Sequence, residues 1–153
     1  MTAPSPTQEA IAALIAAEMH REGPLLPILH SLQSAFGHVP AEAVPMIAEA
    51  LNIGRAEVHG VMSFYHDFRS VPAGRHVVKI CRAEACQAVG GVGFADAVLE
   101  KLGTAWHGTS ANGAVTVEPV YCLGLCANGP AAMIDGRPVA GLSAEDLVAE
   151  VSA

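Results

Sequence analysis

The sequence predicts an α+β protein in two parts, a helical bundle over residues 8–70 followed by an α/β domain over residues 75–153. Three observations carry this expectation. Apolar residues recur at helical spacing through residues 8–66. The Pro72-Ala-Gly74 turn then breaks that pattern. Beyond it, short apolar runs bounded by turn residues surround one longer helical stretch.

Residues 1–7 are rich in Pro, Ser and Thr and are expected to fray. From Gln8, Ile11, Leu14, Ile15 and Met19 form one apolar stripe. Gly23-Pro24 ends that helix and opens a second, where a first-turn proline loses little by lacking an N–H. Leu25, Ile28, Leu29, Leu32 and Phe36 are its buried stripe, and Gly37 closes it. A third helix is expected from about Ala41 to Leu51, with Val44, Ile47, Ala48 and Leu51 inward and Pro45 near its first turn. A fourth runs from about Arg55 to Tyr65, with Val58, Val61, Met62 and Tyr65 inward.

After the break, His76–Ile80 reads as a strand and Cys86–Leu102 as loop then helix, with Phe94, Val98 and Leu102 in steps of four. Ala114–Tyr121 reads as a second strand. Asp135-Gly136 is a tight-turn signal between the short strands Ala131–Ile134 and Arg137–Val139. Ser143-Ala-Glu-Asp146 resembles a capping box, and Leu147, Val148 and Val151 face the last helix inward. The order β–α–β–β–α is that of a small thioredoxin-like half.

With 153 residues, 52% of them hydrophobic, the chain has material for a core without covalent staples. Its net charge of −7 argues against nucleic acid, whose phosphates call for a basic surface. The span Ile47–Phe64 has the outline of a helix-turn-helix reader, but its second helix offers one arginine, Arg55, against Glu57. No apolar run is long enough for a membrane span. The N-terminal stretch lacks the basic and apolar regions of an export signal, so the expected compartment is the reducing cytoplasm.

All four cysteines come as two close pairs, Cys81-x4-Cys86 and Cys122-x3-Cys126, each at the exit of an expected strand. A reducing compartment argues against two structural disulfides. A metal centre held by two loops is the leading reading, ahead of free core thiols and of disulfides. Structural zinc favours tighter Cys-x2-Cys knuckles. A dithiol oxidoreductase would carry Cys-x-x-Cys, which is absent. An iron–sulfur cluster takes four thiolates, and wider loops suit its bulk. Such a cluster is a net anion that calls for N–H donors. Gly90, Gly91, Gly93, Gly124 and Gly129 either let amides approach the sulfurs or simply make turns. Arg82 stands in the first loop, positioned to offset the anion or to meet a partner. The seven histidines show no metal-ligand pairing, and no nucleophile set, carboxylate pair or phosphate loop is visible. No catalytic residue is expected on this chain.

The helical half followed by these cysteines resembles the family of 24-kDa complex I subunits, the thioredoxin-like [2Fe–2S] ferredoxins. Leu25-Leu-Pro-Ile-Leu-His30, Ala56-Glu-Val-His-Gly60, Ser63-Phe-Tyr-His-Asp-Phe68 and Cys122-Leu-Gly-Leu-Cys126 carry the likeness. Within the family, Cys81-Arg-Ala-Glu-Ala-Cys86 and Tyr121-Cys-Leu-Gly-Leu-Cys126 look most like the gamma subunit of soluble molybdenum-containing NAD-dependent formate dehydrogenase. The resemblance implies one [2Fe–2S] cluster, with Cys81 and Cys86 on one iron and Cys122 and Cys126 on the other. It implies docking of residues 8–70 on a beta subunit that binds FMN and NAD, beside a large alpha subunit with a molybdenum cofactor. The chain would then be the one-electron carrier of an NAD-dependent oxidoreductase. Alternatives are the matching subunit of an NAD-reducing hydrogenase or of complex I and, from another class, a zinc-stabilised assembly module.

Overall fold

Four helices come first in the computed structural model, which describes residues 7–152. They are α1 (Gln8–Glu18), α2 (Leu25–Phe36), α3 (Ala43–Leu51) and α4 (Arg55–Phe64). Each buries part of the stripe its spacing marks out. Ile11 and Ile15 of α1, Ile28, Leu29, Leu32 and Phe36 of α2, Val44 and Ile47 of α3 and Val58 of α4 share one apolar core. Ile28, Leu29 and Leu32 have no solvent exposure, which is worth roughly 1.5–3 kcal/mol for each side chain removed from water. Glu57 reaches back to accept a 2.6 Å hydrogen bond from the amide of Gly54, closing the start of α4.

Three details depart from the sequence reading. Residues 1–6 of the segment expected to fray lie outside the described residues, but Thr7 is the N-cap of α1, its hydroxyl accepting from the Ala10 amide at 3.2 Å. Met19 follows the end of α1 and is 42% exposed. Tyr65, expected inward, has left the helix with extended backbone and is 44% exposed; Phe68 fills the core in its place.

The second compact unit begins at Ala73, the first having ended at Pro72. It holds β1 (His76–Cys81), a short helix α5 (Glu84–Ala88), α6 (Gly91–Leu102), β2 (Val115–Val120), β3 (Ala131–Ile134), β4 (Arg137–Ala140) and α7 (Ala144–Ser152). The strands form one mixed sheet in the order β2-β1-β3-β4. β1 and β2 are parallel and joined by the α5–α6 crossover, as a parallel pair requires. β3 and β4 form the antiparallel hairpin foreseen at Asp135-Gly136, both residues at positive φ. Val78, Ile80, Val98, Val115, Val117, Ile134, Leu147 and Val151 build this unit's own core. Ser143 caps α7, its hydroxyl accepting from the Asp146 amide at 3.1 Å. Among the described residues, no helix is long and apolar enough to cross a membrane.

Candidate metal centre

The parallel register fixes where the cysteines go. Cys81 is the last residue of β1 and pairs across with Val120, the last residue of β2. Both cysteine loops therefore leave the sheet at the same end. β3 runs back from that end, and the Ala131 that opens it joins Cys81 and Cys86 in a small buried cluster.

The first loop is short because α5 begins at Glu84 and carries Cys86 in its middle. The sequence reading had loop here; five residues are too few to show a helical period. Cys81 and Cys86 are 2% and 1% exposed. Glycine is required at Gly91, where a Cβ would lie 2.5 Å from the Cys86 carbonyl oxygen. So α6 starts tightly against the backbone of the second cysteine.

The second loop is built differently. Leu123 and Leu125 turn in and pack on the buried cluster, while Cys122, Gly124 and Cys126 remain exposed. Alternate residues thus face opposite ways, and the turn is made by positive φ at Cys122 and Gly124. Nothing lies within 4 Å of a Cβ at Gly124, so this glycine serves the turn alone. The Cys122 and Cys126 sulfurs are 3.6 Å apart, and all four cysteines are free thiols.

The thiols feel one another. Burial pushes the Cys81 thiol up, but hydrogen bonds from the Ala83 amide, the Cys86 thiol and the Cys122 and Leu123 amides outweigh it, leaving the pKa below the ordinary cysteine value. Burial raises Cys86, and the neighbouring Cys81 raises it further. Cys126 is raised mainly by its hydrogen bond with Cys122 and then by that neighbour's like charge. The charge of Cys81 acts on both Cys86 and Cys126, so the two loops share one electrostatic site. Thiols that resist ionising together while amides wait to solvate the anions are suited to a cationic centre, which takes the protons' place.

The donor set, four thiols on two loops at one end of the sheet, is of the kind an iron–sulfur cluster takes. Two thiolates on one tetrahedral metal, with bonds of about 2.3 Å, lie roughly 3.8 Å apart, and the Cys122–Cys126 separation of 3.6 Å is close to this. Among the described residues, no three His, Cys, Asp or Glu side chains are placed to hold a single ion. The amides of Ala83, Cys122, Leu123 and Ala131 are the N–H donors that an anionic cluster needs. Of the glycines, Gly129 comes close to a sulfur: a Cβ there would lie 3.4 Å from Cys86 Sγ. Missed altogether was Arg82's stacking: its guanidinium carbon lies 5.0 Å from the centre of the Trp106 ring.

Comparison with known proteins agrees with this geometry. The family model described as thioredoxin-like [2Fe–2S] ferredoxin matches residues 11–152. The chain is 31% identical over 138 residues to the NADP-reducing hydrogenase subunit HndA of Solidesulfovibrio fructosivorans, covering 90% of this chain and 80% of that one. It is 37% identical over 122 residues to an NADH-quinone oxidoreductase subunit of Pseudomonas aeruginosa, covering 77% and 74%. Among solved structures, an H2-reduced NAD+-reducing [NiFe]-hydrogenase superposes with a TM-score of 0.70 at 25% identity. The match takes in 84% of this chain but 21% of the hydrogenase chain, so the present chain spans about a fifth of that larger polypeptide.

Proposed function

Because the chain belongs to the thioredoxin-like [2Fe–2S] ferredoxin family, whose members carry a [2Fe–2S] cluster, we propose that it is the one-electron carrier beside the flavin subunit of a soluble NAD-dependent formate dehydrogenase. The observation that carries the electron-transfer reading is the register of β1 and β2, which delivers two thiol pairs to one end of the sheet. Cys81 and Cys86 would hold one iron and Cys122 and Cys126 the other. When bound, the cluster supplies one-electron transfer, where hydride exchange between NAD and a flavin moves two electrons at once. The chain's own residues do the rest. The buried pair anchors the site, the amides around Cys81 offset its negative charge, and the exposed pair opens it to a partner.

Partner docking is supported by apolar side chains left in solvent. Phe64 and Val71 in the helical unit are 72% and 67% exposed, and Tyr121, next to Cys122, is 69% exposed. On this reading residues 8–70 seat the chain on the FMN- and NAD-binding subunit, and residues 75–153 present the cluster. A molybdenum-containing subunit oxidises formate at another site in the complex, which works in the cytoplasm. The formate assignment rests on the two loop sequences, Cys81-Arg-Ala-Glu-Ala-Cys86 and Tyr121-Cys-Leu-Gly-Leu-Cys126. A second reading is favoured by the relatives' names: the same subunit in a hydrogenase or in complex I.

Anaerobic purification of the native complex separates these readings. Two irons and two sulfides per chain, a [2Fe–2S] EPR signal on NADH reduction, and formate-dependent NAD reduction by the copurifying subunits are expected. A colourless zinc-loaded chain would overturn the electron-transfer reading. Hydrogen- or quinone-linked activity without formate activity would keep it and replace the parent complex.

A further inference from the structure

Arg82 is tied through its backbone to residues beside three of the four cysteines. It follows Cys81 directly. Its amide donates to the Val120 carbonyl at 2.8 Å, two residues before Cys122. Its carbonyl accepts from Nε2 of Gln87, the neighbour of Cys86, at 2.6 Å. Both backbone groups are thus tied to the approaches of Cys86 and Cys122. The side chain is half-buried and lies over Trp106, a half-buried ring packed on the core of the sheet unit. Among the described residues, no carboxylate forms an ion pair with Arg82.

We propose that Trp106 is a positioning residue that holds the guanidinium of Arg82, the residue next to Cys81, so that its charge favours the reduced cluster. The inference rests on the assignment of the cluster to Cys81, Cys86, Cys122 and Cys126. Reduction adds one electron, supplied in the complex by the partner's reduced flavin, and makes an anionic site more negative. A fixed cation therefore stabilises the reduced state more than the oxidised one. Arginine keeps its charge at any working pH, and its flat face suits an indole. A carboxylate partner would cancel that charge; an aromatic ring fixes the position and leaves the charge intact. Lysine or arginine free in solvent would be screened within a Debye length. Half-burial against Trp106 reduces that screening.

The test is an optical and EPR redox titration of the cluster-loaded chain with dithionite and mediators. Arg82→Gln is expected to lower the ratio of reduced to oxidised cluster at a fixed poise by roughly threefold to tenfold, the upper figure being about 59 mV for one electron. Trp106→Leu should shift it in the same direction by a smaller factor. The double variant should match Arg82→Gln alone, because Trp106 acts through Arg82. Arg82→Lys should restore much of the potential. Trp106 is the sole tryptophan. Its acrylamide quenching in the apo-protein therefore reads the stack without the cluster, and should rise in Arg82→Gln. An unmoved potential in Arg82→Gln, or additive shifts in the double variant, would overturn the proposal. So would unchanged quenching in Arg82→Gln, which also decides the matter if Trp106→Leu fails to fold. A wild-type chain with no reducible [2Fe–2S] signal would instead sink the cluster assignment beneath it.

Discussion

The two cysteine loops bring their thiol pairs to one end of the sheet in opposite surroundings. Cys81 and Cys86 sit on regular structure, the end of β1 and the middle of α5, with almost no exposure. Cys122 and Cys126 sit on an exposed turn anchored by Leu123 and Leu125. The difference teaches that the site is half foundation and half opening. Regular backbone sets the sulfurs of one pair, and the other pair is left open to solvent.

Removing one thiol from each loop should break the symmetry of ligand count most strongly. Cys81→Ser or Cys86→Ser places a hydroxyl in a buried apolar cluster where the surroundings hardly relax, and cluster content should fall almost to zero. Cys126→Ser, open to solvent, should retain a measurable fraction with an altered visible spectrum. Iron and sulfide per chain, with circular dichroism as the folding control, check this. Equal losses in both loops would remove the foundation-and-opening distinction.

The glycines sharpen it next. Gly91→Ala forces a Cβ to 2.5 Å from a backbone carbonyl oxygen, and backbone cannot step aside. A loss of about 2–4 kcal/mol in unfolding free energy is expected, with the Cys86 turn displaced. Gly124→Ala meets open space but sits at φ +77°, so its cost should be roughly 1–2 kcal/mol. Urea denaturation of both variants gives the comparison, and a costlier Gly124→Ala would reverse it.

Without metal, the loops should also differ in access. Iodoacetamide on the apo-protein should modify Cys122 and Cys126 at least about tenfold faster than Cys81 and Cys86, since modifying a buried thiol requires local opening. Peptide mass spectrometry over time reads the ratio. Equal rates would mean that the buried pair opens as freely as the exposed one.

Much of this was legible in the chain itself. Two close cysteine pairs behind two apolar runs place each pair at a strand exit, and the parallel register then brings both exits to one end of the sheet. The Asp135-Gly136 hairpin and the Ser143 cap follow from local chemistry that acts over a few residues. What stayed hidden has two physical causes. Some elements are too short to show a period, as with α5, or stop one residue early, as α4 does before Tyr65. Other contacts join distant positions: Arg82 and Trp106 meet through folding, and neither shows a local signal. The amide donors around Cys81 are invisible for a related reason, since every residue except proline carries an N–H and the sequence does not say where it points.

The smallest effect belongs to the other end of β1, and it tests whether the two ends are independent. Asp135 accepts from the Val77 amide at 2.8 Å and from His76 Nδ1 at 2.7 Å. Partial burial pushes its pKa up, but the His76 and Val77 hydrogen bonds and nearby positive charge prevail, and it lies below the ordinary aspartate value. A depressed carboxylate stabilises the fold above its unfolded pKa of about 3.9, and that contribution fades as pH falls through the lower folded value. Because the side chain is 46% exposed, solvent screening holds the contribution below about 1 kcal/mol. Asp135→Asn keeps a residue that tolerates the φ of +49° at this turn and removes only the charge. Thermal unfolding between pH 7 and pH 3 should show wild type losing its small advantage over the variant at the acid end. Cluster content at pH 7 should be the same in both. A loss of cluster in Asp135→Asn would show that the hairpin end of β1 and its cysteine end act as one unit.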